Sequence, residues 1–551
     1  MDSRITNPPD ATPADASEHA DVEVETNAAQ RRWILVATCL GLLAVMMSVS
    51  GLNVAQQSLA ADLGASQSQL LWVVNGFTVA LAATLLTLGA LGDRLGRKTM
   101  LLAGLGLFAV VNLASAFAGD ADMLIGLRVL MGISAAMIMP ATLSTITAAF
   151  PAAERGRAIG VWAGVAGGGS VIGLITSSIL IDAGSWRLLF VAPIAVALTT
   201  MAITIPKVPN TREESEHRFD YLGSLLSVIA VGGVVLAIHE GPEQGWTAPI
   251  TIVPLVAGIV GLGGFIWWER RHREPLLDVA VFSNRTLAAG ALSLTVMFAL
   301  IIGMFLVMIQ FLQTVLGMSA LTSSIALLPM IGVLMAAAPI APAITGRIGY
   351  RATMTASLSV IAGALVMLAM LPDDPTYLDV VPALVLLGAA LGIAMTPSTT
   401  AITESLPDDK QGVASALNDT VRELGGAIGV ALIGSVLAAG YRSGIADTAD
   451  TLDPELGHLV EEGIGGAYVA AGQMGSDGAS LIGAAQRAFL DGWSGSMWLA
   501  AGIAVATAVG ALVLIPGRPA AADEDSRNLD LDGQPLPITS PTTARVLSVA
   551  E

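Results

Sequence analysis

Long apolar stretches separated by short polar segments recur along the whole chain. Each stretch is about 18 to 25 residues long, the length that a helix needs to cross the hydrocarbon core of a membrane. Segments of strictly alternating polarity, which are typical of outer-membrane barrels, are missing. The pattern therefore predicts an all-α integral membrane protein with fourteen transmembrane helices. The predicted spans are residues 33–54, 70–91, 100–118, 124–149, 158–181, 188–205, 221–239, 250–268, 288–313, 321–344, 353–370, 380–403, 412–438 and 496–515.

The basic residues favour one orientation of these helices. If the N-terminus is cytoplasmic, 21 of the 26 Lys and Arg residues lie on the cytoplasmic side and three lie outside. Short cytoplasmic loops of membrane proteins carry such an excess of positive charge. We therefore expect both termini in the cytoplasm. Arginine far outnumbers lysine and alanine is abundant, which is typical of a high-GC bacterium, so the expected location is a bacterial cytoplasmic membrane.

Composition argues against several classes of function. The chain is 54% hydrophobic, and its net charge of −18 argues against a nucleic-acid partner. The single cysteine, Cys39, lies inside the first apolar run, so no disulfide or thiol metal cluster is expected. Neither G-x-S-x-G nor H-E-x-x-H occurs, and the histidines lack metal-ligand spacing. We expect no metal, no cofactor and no enzyme activity.

Acidic segments lie outside the apolar runs. Residues 1–30 and 516–551 combine Asp and Glu with Pro, Ala and Thr, and are predicted to be disordered tails. The acidic segment 440–491 is expected on the outer side as a solvated loop, with a small hairpin or a short helix as the alternative.

The sequence also repeats itself weakly. Three pairs of segments match at offsets of 253 to 257 residues, namely MPAT with TPST, PAAERGRA with PDDKQGVA, and DRLGRKT with GRIGYRAT. The common offset predicts two similar six-span halves, residues 31–206 and 287–515, with two further helices inserted at 207–286. Parallel repeats of this kind are a transporter architecture.

A cluster of charge stands between two apolar runs in the stretch LTLGALGDRLGRKTML, residues 87–102. Gly89 and Gly96 permit close helix approach and a tight turn. Asp93 can accept hydrogen bonds from Arg94 or Arg97, or from backbone amides at the N-terminus of a neighbouring helix. The alternative is that these charges serve only to orient the hairpin in the membrane.

This stretch resembles the signature between spans 2 and 3 of the major facilitator superfamily, in its fourteen-span drug:proton antiporter branch. The matching residues are Gly89, Leu91, Asp93, Arg94, Gly96, Arg97 and Lys98. The resemblance covers residues 33 to 515 and implies a multidrug efflux transporter that works by alternating access. It also implies that Asp93 meets the start of span 13 near Gly412 and forms a cytoplasmic gate between the halves.

Two other family segments are altered. In span 5, Gly169 and Gly173 match the antiporter signature, whereas Leu174 replaces a proline and Ser177 and Ser178 replace paired glycines. This predicts a straighter, less closely packed span, although exchange remains the expected mode. In span 1, the family's acidic residue falls at Ser48, which favours neutral, zwitterionic or anionic cargo over lipophilic cations. The alternative is that another span supplies the carboxylate.

Charged residues inside the spans are candidates for proton coupling. Arg128 matches the arginine of the family's span-4 signature, and its alternative role is a static anchor for span-1 carbonyls. Asp419, Arg422 and Glu423 share one face of span 13, so that Arg422 neutralises one acid and leaves the other free to bind a proton. The alternative is a self-satisfied charge cluster. The candidate cavity residues are Ser48, Ser50, Asn53, Met297, Phe298, Met304, Phe305, Gln310 and Gln313.

The sequence thus predicts a monomeric, proton-coupled exporter of organic small molecules, with the lipid bilayer, cargo and protons as its partners. A dedicated exporter of an endogenous metabolite or lipid with the same fold is one alternative. A membrane sensor that transports nothing is the other.

Overall fold

The computed structural model describes residues 27–182, 184–211, 219–475 and 478–515. Within these ranges every regular element is helical, and fourteen helical segments are long and apolar enough to cross a membrane. The all-α, fourteen-span prediction is confirmed. Most of the N-terminal tail (1–26) and all of the C-terminal tail (516–551) lie outside the described residues.

The helices follow one another with short connections. They are α1 Ala28–Leu63, α2 Gln67–Leu95, α3 Arg97–Ala116, α4 Ala121–Ala149, α5 Ala152–Asp182, α6 Val191–Lys207, α7 Tyr221–Gln244, α8 Pro249–Glu269, α9 Arg285–Thr314, α10 Ala320–Ala326, α11 Leu328–Ala337, α12 Ala341–Ile348, α13 Tyr350–Ala369, α14 Tyr377–Thr403, α15 Gln411–Ala449, α16 Pro454–Glu462, α17 Ile464–Met474 and α18 Gly478–Leu514.

The tenth span is broken into α10, α11 and α12. A 3-10 turn, Ala338–Ile340, lies between α11 and α12. Pro329, Pro339 and Pro342 are the second residues of α11, of this turn and of α12, respectively. Proline lacks an N–H and its ring disturbs the preceding turn, which interrupts a helix at these points.

Single glycines make the tightest turns in both halves. Gly96 alone separates α2 from α3 with φ +98°, and Gly349 alone separates α12 from α13 with φ +84°. These two glycines are matched in the internal repeat, and positive φ is a conformation that glycine adopts without strain. We call the end of the bundle that carries the α2–α3 turn the hairpin end.

The N-terminal half (α1–α6) and the C-terminal half (α9–α18) meet mainly through α2 and α4 with α15, and through α5 with α11 and α14. Glycine allows these contacts to be close: a Cβ on Gly160 of α5 would lie 2.5 Å from the carbonyl oxygen of Ala338. The inserted pair, α7 and α8, lies beside α2, and α8 packs mostly against α7 alone.

The segment 440–491 is largely helical, so its interpretation as a solvated loop is wrong and the short-helix alternative fits the structure. Helix α15 continues to Ala449, α18 already begins at Gly478, and α16 and α17 lie between them. The extended ends pack closely because Gly440 faces Gly492 without side chains between the backbones. Tyr441 adds a hydrogen bond from its hydroxyl to the carbonyl of Val460 at 3.1 Å.

Candidate functional site

Asp93, near the end of α2, caps the N-terminus of α15 in the other half. Its Oδ1 accepts a hydrogen bond from the backbone N–H of Gly412 at 2.8 Å, and its Oδ2 accepts one from Val413 at 3.1 Å. The first amides of a helix have no partner within the helix, and the helix dipole favours an anion there. The carboxylate is 3% exposed, and Arg97 Nη2 lies 3.3 Å from its Oδ1. This is the contact that the resemblance implies.

The backbones of α2 and α15 touch beside this contact. A Cβ on Gly89 would lie 2.5 Å from the Cβ of Ala416 and 2.6 Å from the carbonyl oxygen of Gly412. Leu91 is half-buried against the core, and Arg94 is half-buried without a hydrogen bond among the described residues. Asp93, Arg97 and Gly89 together with residues 412–416 are called the latch below.

The hairpin also holds the N-terminal side of the α6–α7 linker. Lys98 Nζ donates to the carbonyl of Ile205 at 2.7 Å, and Arg97 N donates to that of Thr211 at 3.0 Å. Asn210 donates to the hydroxyl of Thr99 at 3.2 Å. The end of α6 and the start of the linker are therefore both fixed to the hairpin.

A second linker reaches the latch from the opposite side. Lys410 Nζ, just before α15, donates to the carbonyl of Pro275 in the α8–α9 linker at 3.3 Å. Arg97 Nη2 donates to the carbonyl of Asp408 at 3.0 Å. The N-terminus of α15 is thus held by the hairpin and by the linker that follows the inserted pair.

Arg128 is buried in the N-terminal half and is bonded to backbone carbonyls. Its Nε donates to Val73 O at 2.8 Å and its Nη1 donates to Ser48 O at 3.2 Å. The guanidinium lies 4.4 Å from the centre of the Phe77 ring, and the described residues place no carboxylate in an ion pair with it. These contacts join α4 to α1 and α2. The Ser48 hydroxyl is buried without a partner among the described residues.

Asp419 and Arg422 form a buried ion pair on α15. Arg422 Nη1 lies 3.0 Å from Asp419 Oδ1, and Asn418 donates to the same oxygen at 3.3 Å. Asp419 Oδ2 and Arg422 Nε have no hydrogen-bond partner among the described residues. One oxygen and one nitrogen of this buried pair are therefore without a hydrogen bond there.

Arg422 also contacts aromatic rings from both halves. Its guanidinium lies 4.5 Å from the ring centre of Phe298 on α9 and 5.3 Å from that of Trp162 on α5. Cation–π contacts of this length are attractive. Trp162 is held in turn by Thr142, whose hydroxyl accepts from the indole N–H at 3.0 Å. The Arg422 side chain is thus packed at the boundary between the halves.

Glu423 follows Arg422 and is half-buried. The described residues provide no hydrogen bond or ion pair to its carboxylate. The neighbouring guanidinium of Arg422 bonds Asp419 instead. The cluster therefore contains one paired and one unpaired acid.

The altered span-5 segment packs closely on α1 in spite of its serines. A Cβ on Gly169 would lie 2.9 Å from Met46 Cβ, and one on Gly173 would lie 2.8 Å from Met47 Cα. One turn further on, a Cβ on Gly51 would lie 2.7 Å from the hydroxyl of Ser177. At this level the glycine is Gly51 on α1 rather than a residue of α5, and it allows the two helices to remain close. Leu174 and Ser178 are also buried.

The candidate cavity residues whose side chains the structure describes differ in their burial. Met297, Phe298 and Met304 are buried in the core, whereas Phe305 and Gln310 are half-buried and Gln313 is exposed at the end of α9. Ser50 is buried and its hydroxyl donates to Met46 O at 3.0 Å. The side chain of Asn53 lies outside the described residues.

Residues 38–430 match the family model of the Major Facilitator Superfamily. The chain belongs to this superfamily. It is 32% identical over 429 residues to the multidrug resistance protein Stp of Mycobacterium tuberculosis, covering 78% of each chain. It is also 32% identical over 486 residues to the multidrug efflux pump LfrA of Mycolicibacterium smegmatis, covering 88% of this chain and 96% of that one. A crystal structure of a bacterial homologue of the human lysosomal transporter Spinster has the same fold, with a TM-score of 0.57, 15% identity, and coverage of 88% and 98%.

Sequence reasoning on this superfamily member missed the contacts around the latch. Asn210 was not a candidate because it lies in a linker without a motif. The one feature of the sequence that could have indicated it is its position just after the end of α6, where Lys98 binds a backbone carbonyl. Lys410 was counted only as a charge. Gly51 was missed because its role depends on which residue of α5 stands opposite.

Proposed function

We propose that this superfamily member is a proton-coupled secondary exporter of organic small molecules that works by alternating access. Superfamily membership and the names of Stp and LfrA support the class of function. The observation that carries the mechanism is the contact of Asp93 with Gly412 and Val413, because it joins the two halves at one end of the bundle.

The latch closes the hairpin end, and its release opens that end. Each hydrogen bond to a charged group contributes about 1.5 to 3 kcal/mol, and separation of α2 from α15 removes two of them. Separation also exposes the backbone contact at Gly89 to water. The positive charge of the loops at this end supports its placement in the cytoplasm.

The cluster on α15 is the proposed site of proton coupling. A proton that enters from the outer side binds the carboxylate of Glu423 or the free oxygen of Asp419, and neutralises one acid. Protonated Asp419 holds Arg422 less strongly, so the guanidinium shifts from Asp419 towards Glu423 and changes its contacts with Trp162 and Phe298. Because these rings belong to different halves, the shift favours a different packing between them. Release of the proton to the cytoplasm restores the first arrangement.

Transport by the purified full-length chain in proteoliposomes tests this proposal. A pH gradient is imposed, and the movement of a lipophilic cation, a neutral compound and an organic anion is compared. We expect the gradient to drive at least one class of cargo, and the Glu423→Gln variant to lose this drive. Glu455→Gln, an exposed acid on α16, is the matched control and should transport normally.

Two results would contradict the proposal. Cargo movement that is independent of the pH gradient would show that transport is not coupled to protons. The absence of movement for every cargo class would favour the alternative of a membrane sensor.

One observation favours the dedicated exporter as a second candidate. Ser48 stands where the family has an acid, and Arg128 beside it is bonded to carbonyls rather than to a carboxylate. A cation in the N-terminal half would lack a counter-charge there. Cargo of a single type without positive charge in the screen would support this candidate. Broad expulsion of lipophilic cations would exclude it.

A further inference from the structure

A cavity of about 650 Å³ lies at the hairpin end, where α8 runs into the α8–α9 linker. Its lining includes Glu269, Arg270, His272, Arg273, Asp278 and Phe282. Pro275, which also lines it, is the residue bonded by Lys410 at the latch. The cavity plays no part in the proposed transport mechanism.

Two acids, Glu269 and Asp278, line this cavity, and a third, Asp220, lies behind Glu269. Glu269 is 3% exposed; its Oε2 accepts from Leu277 N at 3.3 Å, and its Oε1 has no partner among the described residues. Oε1 approaches Gly223, which the buried carboxylate of Asp220 also approaches from the base of α7. Asp220 accepts from the indole of Trp268 at 3.0 Å, and the nearest basic group, His272 Nδ1, is 3.9 Å away. Among the described residues, no Lys or Arg forms an ion pair with either of these two carboxylates.

The rim of the cavity is positively charged. Arg270 and Arg273 are exposed and make no hydrogen bond or ion pair with the described residues. Arg271, between them, is used differently, since it stacks on Trp267 at 4.7 Å. Two neighbouring guanidiniums without protein partners are well suited to bind a phosphate group.

The mouth of the cavity lies at the membrane surface. Helix α8 leads to it and packs on α7 along one side only, and its other side exposes Val253, Ile259 and Val260. Trp267 and Phe282, both exposed, flank the end of this apolar face. Aromatic residues at the end of an apolar helix face typically mark the interface between hydrocarbon and water.

We infer that this cavity binds the headgroup of an aminophospholipid. The phosphate lies between Arg270 and Arg273, the primary ammonium points inward to Asp278 and the carboxylates behind it, and the acyl chains lie along α8. The lining carries both positive and negative side chains, and phosphoethanolamine carries a negative phosphate and a positive ammonium two carbons apart. A phosphoglycerol headgroup has no positive group that could bind the carboxylates. A phosphocholine headgroup has no N–H to donate.

Lipid retention by the purified full-length chain tests this inference. The protein is delipidated in detergent and incubated with equimolar phosphatidylethanolamine, phosphatidylglycerol and phosphatidylcholine, and bound lipids are counted by native mass spectrometry. We expect phosphatidylethanolamine to be enriched about fivefold over the other two. The double variant Arg270→Gln, Arg273→Gln should lose this enrichment. The control Arg347→Gln, Arg351→Gln, at the same end of the bundle, should keep it.

A third variant separates the two parts of the headgroup. Asp278 caps the following turn by accepting from Ala280 N at 2.9 Å, and asparagine can do the same. Asp278→Asn should therefore fold normally, retain total phospholipid and lose the preference for phosphatidylethanolamine over phosphatidylcholine. Gel filtration of each variant establishes that the fold is intact.

Three results would overturn the inference. Retention of phosphatidylcholine equal to that of phosphatidylethanolamine would show that no N–H of the ammonium is recognised. Greater retention of phosphatidylglycerol than of phosphatidylethanolamine would indicate a site for anionic lipid. Displacement of the lipid by soluble phosphoethanolamine at equal concentration would identify a site for a free metabolite.

Discussion

The carboxylate of Asp93 binds the backbone amide of Gly412, so one half of the bundle supplies the anion and the other supplies the helix terminus. The contact uses a general property of helix N-termini rather than a particular side chain. It therefore breaks and reforms without any rearrangement of side chains on α15. That reversibility suits a contact that would open and close in the proposed transport cycle.

Asp93→Asn should weaken the latch. The amide oxygen still accepts one hydrogen bond, but its NH₂ group faces the N–H of Val413, and the interaction with Arg97 loses its charge. We expect loss of most transport and a larger separation between spin labels placed on α2 and α15. The control Asp409→Asn changes an exposed acid just before α15 and should leave both unchanged. An unaltered distance distribution in Asp93→Asn would show that the contact does not hold the halves together.

Gly51 and Ser177 should behave as a complementary pair. Gly51→Ala places a methyl group against the Ser177 hydroxyl and should destabilise the protein by about 1 to 3 kcal/mol. Addition of Ser177→Ala removes the oxygen that clashes, and should restore the melting temperature. Gly106→Ala, where no atom lies within 4 Å of the added Cβ, is the control. Failure of the double variant to recover would contradict the proposed packing of α1 on α5.

Asp62 should make the end of α1 sensitive to acid. The hydrogen bond from the Trp186 indole, and next the one from Arg187, lower the pKa of this carboxyl below its usual range. A lowered pKa means that the carboxylate stabilises the fold above its unfolded-state pKa, and that this stabilisation is lost as the pH falls through the folded-state value. Hydrogen exchange at the end of α1 should therefore accelerate in acid, and Asp62→Asn should abolish that pH dependence. Equal acid sensitivity in both proteins would assign it to other groups.

Cysteine labelling should locate the hairpin end. In a Cys39→Ala background, Leu95→Cys places a thiol on an exposed residue of the α2–α3 turn, and Thr451→Cys places one at the opposite end. A membrane-impermeant maleimide should label position 451 in intact cells, and position 95 only in inside-out vesicles. The reverse pattern would invert the proposed orientation.

Sequence patterns were sufficient for the features that depend on local chemistry. Apolar run length predicted the fourteen spans, and Gly96 predicted the tight turn between α2 and α3, where its φ is positive. The matching turn at Gly349 was not predicted. The partner of Asp93 was predicted through the family signature and not from the residues alone. Arg128, an arginine inside a predicted span, is buried, which avoids the unfavourable exposure of a guanidinium to lipid.

Features that depend on tertiary packing were not predictable in the same way. The helices of 440–491 were not the favoured prediction because acidic, glycine-containing segments are typical of loops. The close contact of Gly440 with Gly492 stabilises the extended ends of α15 and α18 in this segment. The compensation between Gly51 and Ser177 requires the register of two helices. The candidate cavity residues were chosen by polarity and size along α1 and α9, and helix rotation places Gln313 on the surface and Met297 in the core.

Proton flux driven by cargo is the most direct test of the central proposal, because coupling between two ligands is reciprocal. Proteoliposomes without a pH gradient, loaded with a pH-sensitive dye and a cargo identified in the screen, are diluted into cargo-free buffer. We expect cargo efflux to move protons in the opposite direction, and Glu423→Gln to abolish this proton movement. Cargo efflux at the normal rate with no change in the internal pH of the wild-type vesicles would contradict proton coupling.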